Sequence, residues 1–209
     1  YVNYLVKHKD GIKSATLTKT KSGNYFLSIW VDGDLNKELN KPINDIIGID
    51  LGIKSFIVDS KGNEYENLKL KRNNEKKIVK LHKELSRKQK GSKNRDKSRV
   101  KLAKLYEKLN NKKQEYLHSI SNKLLNENQV IAMEDLNVKG MMQNHNLAKS
   151  MQELSLYDFK NKLIYKAEWY GRNIIEVDRY FASSKLCNCC GHKNKELSLN
   201  DREWTCECG

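Results

Sequence analysis

Cysteine is missing from the first 186 residues of this 209-residue chain, proline occurs once, at Pro42, and no stretch of 18 apolar residues exists. The last absence leaves no membrane-spanning helix to expect, and the N-terminus lacks the basic-then-apolar plan of a secretory leader. The chain reads as intracellular. It opens on Tyr1 rather than Met, in what already looks like the inside of a strand, so more polypeptide is expected on its N-terminal side. Only 38% of the residues are hydrophobic, which makes a good part of the chain solvated helix or loop. Acids are scarce too: 26 Asp and Glu face 40 Lys and Arg, a formal net charge of +14. That balance points to a polyanionic partner, nucleic acid first and an anionic membrane surface second. No internal repeat or low-complexity tract is visible. The five cysteines are an odd number, which in a reducing compartment argues against disulfides and for metal ligation.

Along the chain, "IKSATLTKTKSGNYFLSIWV" (12–31) holds two β-rich runs around Lys21-Ser-Gly-Asn24, a hairpin signal. The polar stretch Asn36 to Asn44 reads as a linker. In "INDIIGIDLGIKSFIVDSKGNEY" an apolar run of Ile46, Ile47, Ile49 and Leu51 is interrupted by Asp50, and Ser55 to Asp59 returns as a second strand before the turn Ser60-Lys-Gly-Asn63. A long helical segment follows, from about Leu70 to Asn126. Its apolar residues recur at helical spacing (Ile78, Leu81, Leu85; then Leu102, Leu105, Leu109, Tyr116, Ile120, Leu124), and a break near Gly91-Ser92 makes it a hairpin. Val130 to Met133 is a short strand running into Glu134. An amphipathic helix is expected over 147–171, with Met151, Leu154, Phe159, Leu163, Ala167 and Tyr170 on or near one face, and "NIIEV" (173–177) is a further strand.

The charge is concentrated in the helical hairpin. From Lys69 to Lys104 sixteen Lys and Arg face three acids, Glu75, Glu84 and Asp96, a local excess of +13. A solvated coiled-coil face is the bland reading. The acids that would pair with those lysines at i to i+4 are mostly missing, however, which favours a phosphate-contacting arm. Its candidate nucleic-acid contacts are Lys69, Lys71, Arg72, Lys76, Lys77, Lys80, Arg87, Lys88, Lys90, Lys93 and Arg95.

Asp50 is costly inside an Ile/Leu strand unless something hydrates or pairs with it. A half-exposed strand would account for it, since alternation sets it opposite Ile49 and Leu51; so would a cap on the following turn. Glu134 reads by itself as an ordinary strand-end acid. Together, a mid-strand Asp with a hairpin partner and a later strand ending in an acid have the layout of a divalent-metal nuclease, because carboxylate oxygens suit Mg²⁺ or Mn²⁺. The local signal at the C-terminal end is stronger. Cys187-x-x-Cys190 and Cys206-x-Cys208, 15 residues apart, come close to a zinc-ribbon spacing, one residue short in the second knuckle. Such a quartet predicts a closed, structural Zn²⁺. Cys189 reads as a bystander, and His192 as a poorer ligand.

"IIGIDLGIK", "VIAMEDLNV", "YKAEWYGRNIIEVDRYFASSKLCNCCG" and "LNDREWTCECG", in that order, resemble the TnpB (OrfB) proteins of bacterial and archaeal insertion sequences. The resemblance covers nearly the whole chain. It implies an α/β fold: an RNase H-like (RuvC-like) mixed sheet with an inserted basic helical hairpin, preceded by a small β element and followed by a four-cysteine zinc ribbon. The implied domains are the β-rich end of a wedge-like domain (1–42), a RuvC-like nuclease domain (43–182, hairpin about 70–126) and the ribbon (183–209). It further implies an RNA-guided DNA endonuclease of the cytoplasm, with DNA and guide RNA as partners and no membrane. Asp50 and Glu134 match the first two catalytic, magnesium-binding acids of the family, and Cys187, Cys190, Cys206 and Cys208 its zinc ligands. The family's third catalytic Asp follows the second knuckle and has no match before Gly209; Asp178 and Asp201 are read as ordinary surface acids. These 209 residues are therefore expected to bind nucleic acid in a salt-sensitive way and to cleave poorly. Two other readings are a nuclease-dead, repressor-like binder from the same family, and a zinc-ribbon module in which Asp50 is structural.

Overall fold

The computed structural model describes residues 11–32, 44–136, 140, 143, 154–178, 181, 185–187, 189–198, 201 and 204–208. The expected linker (36–44) and the start of the expected helix (147–153) fall wholly or largely outside them, as does Gly209.

Strands β1 (Ile12–Lys19) and β2 (Tyr25–Val31) pair antiparallel into a two-stranded ribbon. Its turn is closed by the Thr20 N–H on the Asn24 carbonyl (2.9 Å), as the Lys21–Asn24 signal predicts. That turn rests on the helical hairpin: the Asn24 side-chain amide donates to Glu107 Oε1 at 3.0 Å.

The second sheet has five strands in the order β5-β4-β3-β6-β7, formed by Ile46–Leu51 (β3), Ser55–Asp59 (β4), Glu64–Glu66 (β5), Val130–Glu134 (β6) and Asn173–Val177 (β7). β3, β6 and β7 run parallel; β4 and β5 are antiparallel to their neighbours. The β3–β4 turn needs a glycine, because a Cβ on Gly52 would meet the Ser55 carbonyl at 2.9 Å.

A short helix α1 (Leu70–Asn73) leads into α2 (Glu75–Ser86), and α3 (Lys93–Glu127) returns antiparallel to α2. Gly91, at φ 84°, turns the chain where L side chains are disfavoured. Ser92 then caps α3 by accepting the Arg95 N–H, and Arg95 reaches back to the Leu85 and Lys88 carbonyls, at 2.9 and 3.2 Å, to close the end of α2. Helix α4 (Leu156–Tyr170) starts later than its periodicity predicts. Ser155, between the buried Leu154 and Leu156, has φ 54° and so interrupts any helix running in from before it.

The core lies on one face of the five-stranded sheet. Ile47, Ile49, Ile57, Ile131 and Met133 meet Leu117, Leu124 and Leu125 of α3 and Phe159, Leu163 and Ala167 of α4. Phe56 packs edge-on to Phe159 at 5.2 Å between ring centroids. By strand alternation the opposite face carries Ile46, Asp50, Val58 and Ile175, all exposed; Ile46, expected in the apolar run, is 66% exposed. Among the described residues, the packed helices occupy one face and the other stays open.

Candidate active site and metal centre

The open face carries the acids. Asp50 is the penultimate residue of β3 and is exposed, while its neighbours Ile49 and Leu51 are buried beneath the sheet. Of the two explanations for an acid in this strand, the solvated face is the one the structure contains. Glu134 ends β6 and is half-buried. Register pairs Ile49 with Met133 on the buried side. The following residues, Asp50 and Glu134, thus stand side by side on the open one, with strands spaced about 4.8 Å apart. Both line a cavity of about 480 Å³ with Gly48, Val58, Asp59, Ser60, Ala132, Val177, Asp178 and Phe181.

Asp59 contributes no free oxygens there. Its carboxylate accepts the Lys61 and Asn63 N–H groups, at 3.0 and 2.8 Å, and the Asn63 amide at 2.9 Å. Burial opposes its charge, but these bonds outweigh burial and hold the carboxyl below its usual range. Asp178 follows β7 directly, is exposed and lines the cavity. The only sequence signal was its place at a strand end, shared with Glu134. Asp201 is exposed and accepts the Ser198 N–H at 2.8 Å, in keeping with a local role.

Beneath the cavity, the ends of β6 and β7 are strapped together. Lys160 of α4 binds Asp135 Oδ1 at 3.1 Å and Glu176 Oε2 at 2.5 Å, and the Asp135 N–H donates to the Val177 carbonyl at 3.0 Å. Burial works against the lysine's charge, yet the two carboxylates raise its pKa above the ordinary value.

The four cysteines singled out by spacing converge. The Sγ atoms of Cys187, Cys190, Cys206 and Cys208 all lie within 4.8 Å of one another, with Cys187–Cys208 at 3.4 Å and Cys190–Cys206 at 3.7 Å. A tetrahedron built on Zn–S bonds of about 2.3 Å has edges of about 3.8 Å, so the quartet fits a zinc-sized ion. The first knuckle is closed by the Cys187 N–H on the His192 carbonyl and the Gly191 N–H on the Cys187 carbonyl, at 2.8 and 3.0 Å. The N–H groups of Cys190 and Cys189, aided by the Cys208 side chain, pull the Cys187 thiol down to about 6. Hydrogen bonds to Cys187, Cys190 and Cys206 push the Cys208 thiol up. Zinc is held by thiolates, so filling the site would release thiol protons. Cys189 is exposed and outside the quartet.

Lys69, Lys71, Arg72, Lys76, Lys77, Lys80, Arg87, Lys88, Lys90 and Lys93 are exposed around α1, α2 and the start of α3. Arg95 is half-buried, with its guanidinium bonded to the end of α2. An open groove along α2 is lined by Arg72, Lys76, Lys80, Lys83 and Arg87, with Glu75 and Glu84 among them. Lys83 was not singled out by sequence, although it completes the helical spacing of 76, 80 and 87.

A mixed five-stranded sheet with helices packed on one face, an inserted basic hairpin and a four-cysteine cluster of zinc-ribbon type make up an RNase H-like (RuvC-like) fold. The fold is similar to "Cryo-EM structure of the Cas12f1-sgRNA-target DNA complex", with a TM-score of 0.57 and 21% identity over 88% of this chain and 39% of that one. Residues 29–145 match the OrfB_IS605 family, described as "Probable transposase", and residues 157–209 the "Cas12f1-like, TNB domain". The chain belongs to the OrfB (TnpB) family. It is 35% identical to a "Putative RNA-guided DNA endonuclease" of Streptomyces pristinaespiralis, over 94% of this chain and 48% of that protein. Identity to the "Putative RNA-guided DNA endonuclease InsQ" of Escherichia coli K12 is 26%, over 94% and 52%. The chain thus spans about half the length of these relatives.

Proposed function

We propose that the protein carrying this chain is an RNA-guided DNA endonuclease that uses Asp50 and Glu134 to hold magnesium against a target phosphodiester. The observation that carries this reading is the juxtaposition of Asp50 and Glu134 at the ends of adjacent parallel strands, in one open cavity. Ligand crevices of sheets with parallel strands lie at their carboxyl ends. The donor set is all carboxylate oxygen, which fits a hard dication. Magnesium, when bound, supplies activation of the attacking water and neutralisation of charge on the phosphate. Asp50, exposed on the open face, and Glu134, half-buried beside it, are the carboxylates that would hold the ion. The basic face of α1, α2 and the α2–α3 turn contacts phosphates without reading bases, and base pairing with a guide RNA selects the target. The wedge-like, nuclease and ribbon units, 1–42, 43–182 and 183–209, divide the chain, and Zn²⁺ in the quartet is structural.

The names of the relatives support the reaction class, and the net charge of +14 supports a polyanionic partner. The test is guide-programmed cleavage of a plasmid in Mg²⁺ by the complete protein. Asp50→Ala and Glu134→Ala each lower the cleavage rate at least 10³-fold while guide RNA binding is unchanged; a variant that cuts like the wild type removes that residue from the site.

A further inference from the structure

We infer that Lys160 is a positioning residue of the candidate active site: by binding Asp135 and Glu176 beneath the sheet, it sets Glu134 on the open face. The inference rests on the reading of Asp50 and Glu134 as the acids that hold the metal. Glu134 is the last residue of β6, flanked by Met133 and Asp135. Side chains alternate across a sheet, so the two neighbours belong to the helix-covered face and Glu134 to the cavity. Both neighbours are pinned from below. Met133 is 2% exposed in the core, and Asp135 Oδ1 is held by the Lys160 ammonium at 3.1 Å.

Lys160 is itself well fixed. It follows Phe159, which is fully buried against Phe56, and Leu163, one turn further along α4, is fully buried too. Its side chain, 24% exposed, also reaches Glu176 Oε2 at 2.5 Å. Glu176 is the register partner of Met133, and Val177 that of Glu134. One cation thus joins α4 to both strand ends. The Asp135 N–H on the Val177 carbonyl, at 3.0 Å, carries the β6–β7 pairing one residue beyond Glu134.

The charges say why this position needs a cation. Asp135 and Glu176 converge on one point from adjacent strands, and like charges that close repel unless an opposite charge sits between them. Without the ammonium, that repulsion acts to part the ends of β6 and β7, and Glu134 moves with the end of β6. A displacement of about 1 Å is enough to cost an active site on the order of 10²-fold in rate. Lys160 is not among the described residues lining the cavity. Its effect therefore passes through Glu134, not through contact with the substrate.

The test is guide-programmed plasmid cleavage by the complete protein across a Mg²⁺ titration, with amide hydrogen exchange of the same protein measured without Mg²⁺ or nucleic acid. Lys160→Met lowers the maximal rate at least tenfold and raises the half-saturating Mg²⁺ concentration at least threefold, with target DNA binding unchanged. Its Asp135 N–H exchanges at least tenfold faster, while that of Ile131, within β6, keeps the wild-type rate. Lys160→Arg, which restores the cation, stays within threefold of the wild type in each measurement. If Lys160→Met cuts like the wild type while Asp50→Ala does not cut, the inference falls and the Asp50 site stands; if Asp50→Ala also cuts like the wild type, that reading falls with it. A rate loss that Lys160→Arg shares in full, or faster exchange along the whole of β6, marks a packing role alone and overturns the inference. Should Lys160→Met not fold, Glu176→Gln decides: it removes one of the two anchors and lowers the rate at least threefold, and wild-type cleavage by it overturns the inference.

Discussion

Two aspartates nine residues apart, Asp50 and Asp59, show how environment divides the roles of one residue type. Asp59 is buried and bonded three times within the β4–β5 turn, whereas Asp50 is exposed on the open sheet face. Asp59→Ala strands the Asn63 and Lys61 N–H groups and costs about 1–3 kcal/mol in a denaturant melt; Asp50→Asn shifts the metal-free protein by no more than about 0.5 kcal/mol. Alternation in "IIGIDLG" was enough to give Asp50 its face. Nothing comparable marked Lys166, which looks like any solvated helix lysine in the sequence but is 4% exposed. Its ammonium bonds Ser121 Oγ, Asn122 Oδ1 and the His118 carbonyl, with no carboxylate among them. Burial, then the nearby Lys162, pulls its pKa down to about 8. Between about pH 8 and its unfolded value near 10.4, the unfolded chain binds the extra proton, so stability from this group rises with pH across that window and is missing below it. Lys166→Met is therefore more stable at pH 7, by about 1 kcal/mol, and loses that advantage toward pH 10; urea melts at the two pH values measure it.

At the scale of elements, legibility followed the strength of local signals. The hairpin break was readable because Gly91 and Ser92 combine a positive-φ residue with a helix cap. Strand β5 was not, since Glu64-Tyr-Glu66 is three residues long with no apolar alternation; its pairing with β4 defines it, and the Tyr116 hydroxyl on the Glu66 carbonyl at 2.6 Å ties α3 to it. The late start of α4 was hidden by an apolar spacing that continues through Leu154. Helix α4 is held by Phe159, fully buried against Phe56, and Phe159→Ala costs about 3–5 kcal/mol by thermal or chemical melting. The basic face of α2 predicts a different observable. Lys76→Gln, Lys80→Gln and Lys83→Gln together reduce the slope of log K against log salt for duplex binding by about 2–3, and an unchanged slope would make that face an ordinary solvated one.

For the whole molecule, the informative contrast is between a basic surface and one acidic crevice. In the proposed function the first holds nucleic acid at long range and without regard to sequence, and the second is where a phosphodiester would meet its metal ions. The order of four sequence motifs was enough to foretell the sheet, the hairpin and the Cys quartet. Asp178 stayed hidden because its place in the cavity that Asp50 lines depends on β7 lying beside β6, and β6 beside β3. The central claim is that Asp50 and Glu134 form the cutting centre of a guided nuclease. Its most direct test is the rate of guide-directed plasmid cleavage in Mg²⁺ by the complete protein, wild type against Asp50→Asn, with DNA binding measured alongside. The account predicts a loss of cleavage of at least 10³-fold with target binding preserved; cleavage by Asp50→Asn at the wild-type rate would contradict it.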